Sequence, residues 1–291
     1  MPSLTPLRRT LLKSMAAFGV GLCVPRAGAA GAPRLICVGG ALTEIVYALG
    51  GERLLVGVDT TSRYPAAAQK LPSVGYARTL SAEGLLSLAP TAVLASEDAG
   101  PPAVLRTVAA AGVPVHVLAA NHRYEGLLSR VAQVGRLTGL DAPAARLAAT
   151  LSRDWQALQA RLAQTPPPPR VLFILATTPG QWLVAGGDTA ADAMLRYAGA
   201  VNALSGFNGY KPLSAEAVVA ARPDALLLTD QGLAAAGGID GILHLPGVAQ
   251  TPAGKKRRVL AQDALQLLGF GPRLPQAVAQ LAERLRAEPP A

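Results

Sequence analysis

The stretch GYARTLSAE (Gly75–Glu83) returns as GYKPLSAE (Gly209–Glu216), and each copy is followed by an apolar helical turn, a proline and an apolar run ending at Ser96 or Thr229. Glu83 and Glu216 stand 133 residues apart. A chain that repeats the same local instructions at that distance builds two similar units, each with the motif at the same place. The serine before each glutamate suits a helix N-cap, and the acid suits the positive end of the helix. Capping explains either acid alone. A matched pair, one per unit, also offers two equivalent grips to a symmetric partner.

The flanking pattern says what the units are. RLICV (34–38) passes through Gly39-Gly40 into ALTEIVYALG, where Leu42, Ile45, Val46 and Leu49 share one helical face. LLVGV (54–58), AVLA (92–95) and VHVLA (115–119) follow, then VLFILA (171–176), ALLLT (225–229) and RVLA (258–261). Strands separated by helices predict βαβ units and parallel sheets. Between the halves, Leu140–Gln164 is rich in helix formers, with Asp141 placed to cap it and Pro143 in its first turn, and Pro166–Pro169 forbid its continuation. The expected class is α/β: two Rossmann-like lobes, 33–139 and 170–291, with a ligand cleft between them and one linking helix over 140–165. A helical link is stiff and predicts little lobe closure.

An apolar content of 51% leaves ample core. The formal charge of +9 falls to about +5 once the four bases of the first 29 residues are set aside. That mild excess suits an anionic small molecule or an ordinary solvated surface. A nucleic-acid partner would need a basic stripe with interleaved aromatics; KKRR (255–258) is the one basic run and reads as a turn. The first 29 residues read as an export signal. Arg8-Arg9 precede a short apolar stretch (15–24), and Ala27-Gly28-Ala29 fits signal-peptidase cleavage. Arg8–Lys13 resembles a twin-arginine signal without its usual aromatic, so the general secretory route stays open. Cleavage near Ala29 puts the mature chain in the periplasm. Leu22 before Cys23 argues against a lipoprotein. Cys37, alone after cleavage, sits in an apolar strand as a small hydrophobe.

Two α/β lobes, one linking helix, an export signal and paired tip glutamates resemble the substrate-binding proteins of ABC-type importers for iron complexes and cobalamin. Three stretches are similar to the haem branch: VGGALTEIVYALGG through LPSVGYARTLSAEGLLSLAPT, VAGGDTAADAMLRYAGAVNALSGFNGYKPLSAEAVVAARPD, and LLGFGPRLPQAV. The resemblance implies a periplasmic carrier that is not an enzyme. It implies one ferric haem per chain, delivered to a dimeric inner-membrane permease, and no catalytic cofactor; the carrier itself is expected to be a monomer. Tyr76 takes the place of the iron ligand in this branch. A phenol, with an ordinary pKa near 10, is a poor donor until a ferric ion displaces its proton. Arg78 can serve the phenolate or a propionate. Thr60, Ser62 and Arg63 at a strand end, Tyr210 and Lys211 in the second motif, Trp182, and Gln231 are the remaining pocket candidates. Some relatives add a second-lobe His; LATTPGQWLVAGG has none, so a single protein ligand is expected. By the same resemblance Glu83 and Glu216 would dock the permease.

The rival readings are a siderophore or cobalamin carrier of the same superfamily, a zinc or manganese carrier, and an exported α/β hydrolase. His116, His122 and His244 come with no carboxylate cluster. No G-x-S-x-G elbow, P-loop or G-x-G-x-x-G run is present. Gly39-Gly40 and Gly186–Thr189 precede helices, as do loops that offer N–H groups to anions. Arg273 is placed to hold a loop or a helix start.

Overall fold

A computed structural model describes residues 33–163, 168–178 and 180–287; the segment read as an export signal, with Arg8-Arg9 and the expected cleavage site near Ala29, lies outside them. The first lobe runs β1 (Leu35–Val38), α1 (Gly40–Ala48), β2 (Leu55–Val58), α2 (Ala82–Leu86), β3 (Ala92–Ser96), α3 (Pro102–Ala110), β4 (Val115–Leu118) and α4 (Tyr124–Thr138). Its four strands pair in parallel in the order β2-β1-β3-β4. The linking helix α5 spans Asp141–Leu162. Asp141 does not cap it: Leu140 holds the N-cap position with no side-chain hydrogen bond, and the carboxylate sits in the first turn, where the helix dipole favours it.

The second lobe runs β5 (Arg170–Thr178), β6 (Gln181–Ala185), α6 (Ala190–Tyr197), β7 (Val201–Asn202), β8 (Tyr210–Pro212), α7 (Ala215–Ala221), β9 (Ala225–Thr229), α8 (Asp230–Ala235), α9 (Gly238–Leu243), α10 (Pro252–Lys255), β10 (Val259–Gln262), α11 (Ala264–Leu268) and α12 (Leu274–Arg286). Strands β10, β9, β5 and β7 are parallel, but β6 pairs antiparallel with β5 on one side and with β8 on the other. The parallel expectation fails there because Gly180, at φ 81°, lets the chain reverse after β5 and return as a hairpin. Pro212 ends the edge strand β8, where a missing N–H is tolerated.

Burial explains the apolar runs. In β1, Leu35 and Cys37 face one core while Ile36 and Val38 face another; Val171 and Phe173 alternate in the same way with Leu172 and Ile174 in β5. Burial pushes the Cys37 thiol up to about 12, in keeping with its reading as a hydrophobe. Leu42, Ile45, Val46 and Leu49 are all buried.

The central core belongs to both lobes. It runs from Leu42 and Val131, through Leu151, Trp155 and Leu158 of α5, to Met194, Leu267 and Leu281. Polar and aromatic contacts brace the same seam. Buried Arg130 donates to the Phe270 carbonyl at 2.6 Å, and Arg273 pairs with Glu44. The Tyr124 N–H donates to the Tyr197 hydroxyl at 3.0 Å, and Trp155 stacks on Tyr124 at 4.7 Å while meeting the Tyr197 edge at 4.8 Å. The lobes therefore share packed surface as well as a linking helix.

Candidate functional site

The first motif loop is tied down at both ends. The Thr60 N–H donates to the Gly75 carbonyl, Gly100 donates to Ala77, and Leu80 donates back to Gly100. Val74, Ala77 and Leu80 are buried, which turns Tyr76 and Arg78 out on the same side; Tyr76 is 44% exposed. In the second motif, Tyr210 opens β8 opposite Ala185 and is 37% exposed. Both phenols lie within electrostatic range of Arg78. Arg78 thus stands between Tyr76 of its own loop and Tyr210 of the second lobe in the field they share. Burial pushes the Tyr210 phenol up, while the Thr189 hydroxyl and Arg78 pull it back.

Asp98, in the loop after β3, completes the cluster and was not picked out from the sequence. Both Nε and Nη2 of Arg78 donate to its Oδ2, at 3.1 and 2.9 Å, and the Ser96 hydroxyl donates to Oδ1 at 2.7 Å. Partial burial raises the Asp98 carboxyl, but Ser96 and Arg78 together outweigh it and hold it below the usual range. The available signal was an acidic pair, Glu97-Asp98, at a strand end where open α/β sheets bind ligands.

The other predicted residues scatter. Thr60 and Arg63 are exposed beside the first loop, and Gln231 is exposed in the first turn of α8. Ser62 is withdrawn from the pocket: it is buried, donating to Asp59 at 2.8 Å and sharing a 2.7 Å contact with Thr43. Lys211 lies over the Phe207 ring at 4.6 Å. Trp182 packs against the outer core of the second lobe. Arg273 lies 3.7 Å over the Tyr64 ring and pairs with Glu44, so it braces the lobes. The glycine N–H groups of the two Gly-Gly loops are already used within the fold. Gly39 donates to Asp59, Gly40 to Thr61, Gly186 to Gly209 and Gly187 to Phe207.

Glu83 and Glu216 are both exposed in the first turns of α2 and α7, behind matching caps: Ser81 accepts from the Gly84 N–H and Ser214 from the Ala217 N–H. Among the described residues no cluster of His, Cys, Asp and Glu is arranged to hold a metal ion. No described helix is long and apolar enough to cross a membrane. Two cavities are lined by neither tyrosine. One of about 560 Å³ is lined by Asp192, Arg196, Asn202 and Phe207; another of about 360 Å³ runs along β4 at His116, Val117 and Leu137.

Known proteins share this architecture. The chain is 52% identical to the periplasmic heme-binding protein BhuT, solved in complex with two hemes; the match covers 87% of this chain and 97% of that one, with a TM-score of 0.83. It is 42% identical to the periplasmic heme-binding protein RhuT from Roseiflexus sp. RS-1 in apo form, covering 88% and 98% at a TM-score of 0.85. A vitamin B12-binding protein from Vibrio vulnificus is 26% identical over 95% of this chain and 97% of its own. The family model described as periplasmic binding protein matches residues 35–264, and the chain belongs to that family.

Proposed function

We propose that this protein captures ferric haem between its lobes, with the Tyr76 phenolate on the iron, and hands it to an inner-membrane ABC permease. The observation that carries the reading is a phenol exposed on each of the two matching motif loops, Tyr76 and Tyr210, with the Asp98-held Arg78 two residues from the first and in electrostatic range of both. The heme-binding relatives of high identity support the choice of ligand over cobalamin, whose binding protein is a more distant relative. A ferric ion is a hard acid that takes the place of the phenolic proton, which favours Fe(III) in an oxidising compartment. Arg78 stabilises the phenolate. Exposed Thr60, Arg63 and Gln231 remain available to the propionates, as does Lys211 if it leaves the Phe207 ring. The leader would export the chain, which then acts as a monomeric carrier. Glu83 and Glu216, one per lobe, would grip the two permease subunits.

One observation favours a second stoichiometry. Tyr210 faces the same cluster from the other lobe, so two haems, one on each tyrosine, are a coherent alternative to one haem on Tyr76. BhuT holds two hemes.

The test is a hemin titration followed by visible absorption on the wild type, Tyr76→Phe and Tyr210→Phe. The expected result is saturation near one equivalent with a ferric–tyrosinate spectrum that Tyr76→Phe abolishes and Tyr210→Phe leaves in place. An end point near two equivalents that drops to one in Tyr210→Phe favours the two-haem reading. An unchanged free-hemin spectrum with wild type would sink both and move cobalamin forward.

A further inference from the structure

Arg78 and Asp98 are an exposed pair, with side chains 62% and 50% accessible. Pairs that exposed add little to stability. Their geometry is nevertheless specific. Two guanidinium nitrogens converge on one carboxylate oxygen, and the Ser96 hydroxyl holds the other oxygen. This leaves Nη1 of Arg78 as its one nitrogen without a protein partner among the described residues, on a side chain that lies near both phenols.

We infer that Asp98 is a positioning residue, which fixes the guanidinium of Arg78 so that its free edge serves the tyrosinate and not the carboxylates of the ligand. The inference rests on the haem reading above. It favours the phenolate role of Arg78, because a propionate seeking the two-nitrogen Nε–Nη2 edge would have to displace a carboxylate already held by Ser96. Charge-assisted hydrogen bonds of this kind orient the groups that contact a metal ligand, and losing one costs about 10-fold or more in metal affinity.

The experiment is a double-mutant cycle on hemin affinity and on the tyrosinate-to-iron charge-transfer band, using Asp98→Ala, Arg78→Ala and the double variant. Asp98→Ala is expected to weaken binding about 10-fold and to move the band in the same direction as Arg78→Ala. In the Arg78→Ala background the Asp98 substitution should then have no further effect, since it acts through the arginine. Asp98→Glu should restore part of both signals. Equal affinity and band position in Asp98→Ala and wild type would overturn the inference, and so would losses that simply add. In the haem-free protein, NMR of the Arg78 Nε–H should show a protected signal that Asp98→Ala removes; an unchanged signal would count against the contact itself. A wild type that ignores hemin while this NMR difference persists would sink the haem reading, not the Arg78–Asp98 geometry.

Discussion

At the scale of single residues, the positions the fold depends on most are those where nothing larger fits. Gly40 opens α1 against the loop after β2, with its N–H on the Thr61 hydroxyl at 2.9 Å. A Cβ there would run into the Thr61 carbonyl oxygen and come within 2.8 Å of a Leu265 methyl from the other lobe. Gly40→Ala should therefore cost about 1–3 kcal/mol, as overpacking does, read as a lower urea midpoint at unchanged slope. A loss well under about 1 kcal/mol would mean the loop gives way instead. Tyr76 was legible through the resemblance carried by its GYAR motif and Arg78 through its place two residues on, and neither reading needed a distant contact. Asp98 was not legible, because its partner lies 20 residues away on another loop.

Elements are held to one another by contacts that cross the seam. Glu44 of α1 is 4% exposed and pairs with Arg273 before α12. Burial raises its pKa more than Arg273 lowers it, so the net shift is above the ordinary value of 4.5. The folded state then keeps a proton that the unfolded chain has released. That stabilisation is complete below 4.5 and is lost as pH rises through the folded value. Glu44→Gln removes the term, so the advantage of wild type over variant in thermal unfolding should shrink from acid pH toward neutrality. An advantage that grows with pH would show that the ion pair, not desolvation, decides the balance. The element missed from sequence was the β5–β6 hairpin with β8 beside it. Its short strands pair antiparallel around Gly180, and a five-residue apolar run does not reveal the direction of its partner.

For the whole molecule, the repeat matters most. Two matching capped helices leave one exposed acid on each lobe, and the proposed docking to a two-subunit permease rests on that pair. The double variant Glu83→Ala, Glu216→Ala should abolish haem uptake by cells while leaving hemin affinity within about 2-fold, since exposed first-turn acids contribute only tenths of a kcal/mol to their helices. A parallel fall in hemin affinity would place these acids in the site and not at the docking surface.

The alternating strands and helices of the βαβ units, the two-lobe plan, the linking helix and the Ser-Glu helix starts were present in the sequence, because periodicity and capping act within a few residues; the β6–β8 arm was not. The shared core beneath the lobes, the Arg130–Phe270 and Arg273–Glu44 braces, and the grip of Asp98 on Arg78 were decided only by tertiary structure. They join residues 140, 229 and 20 positions apart. Whether such groups meet depends on how sheets and helices pack, and no local window of sequence contains that information.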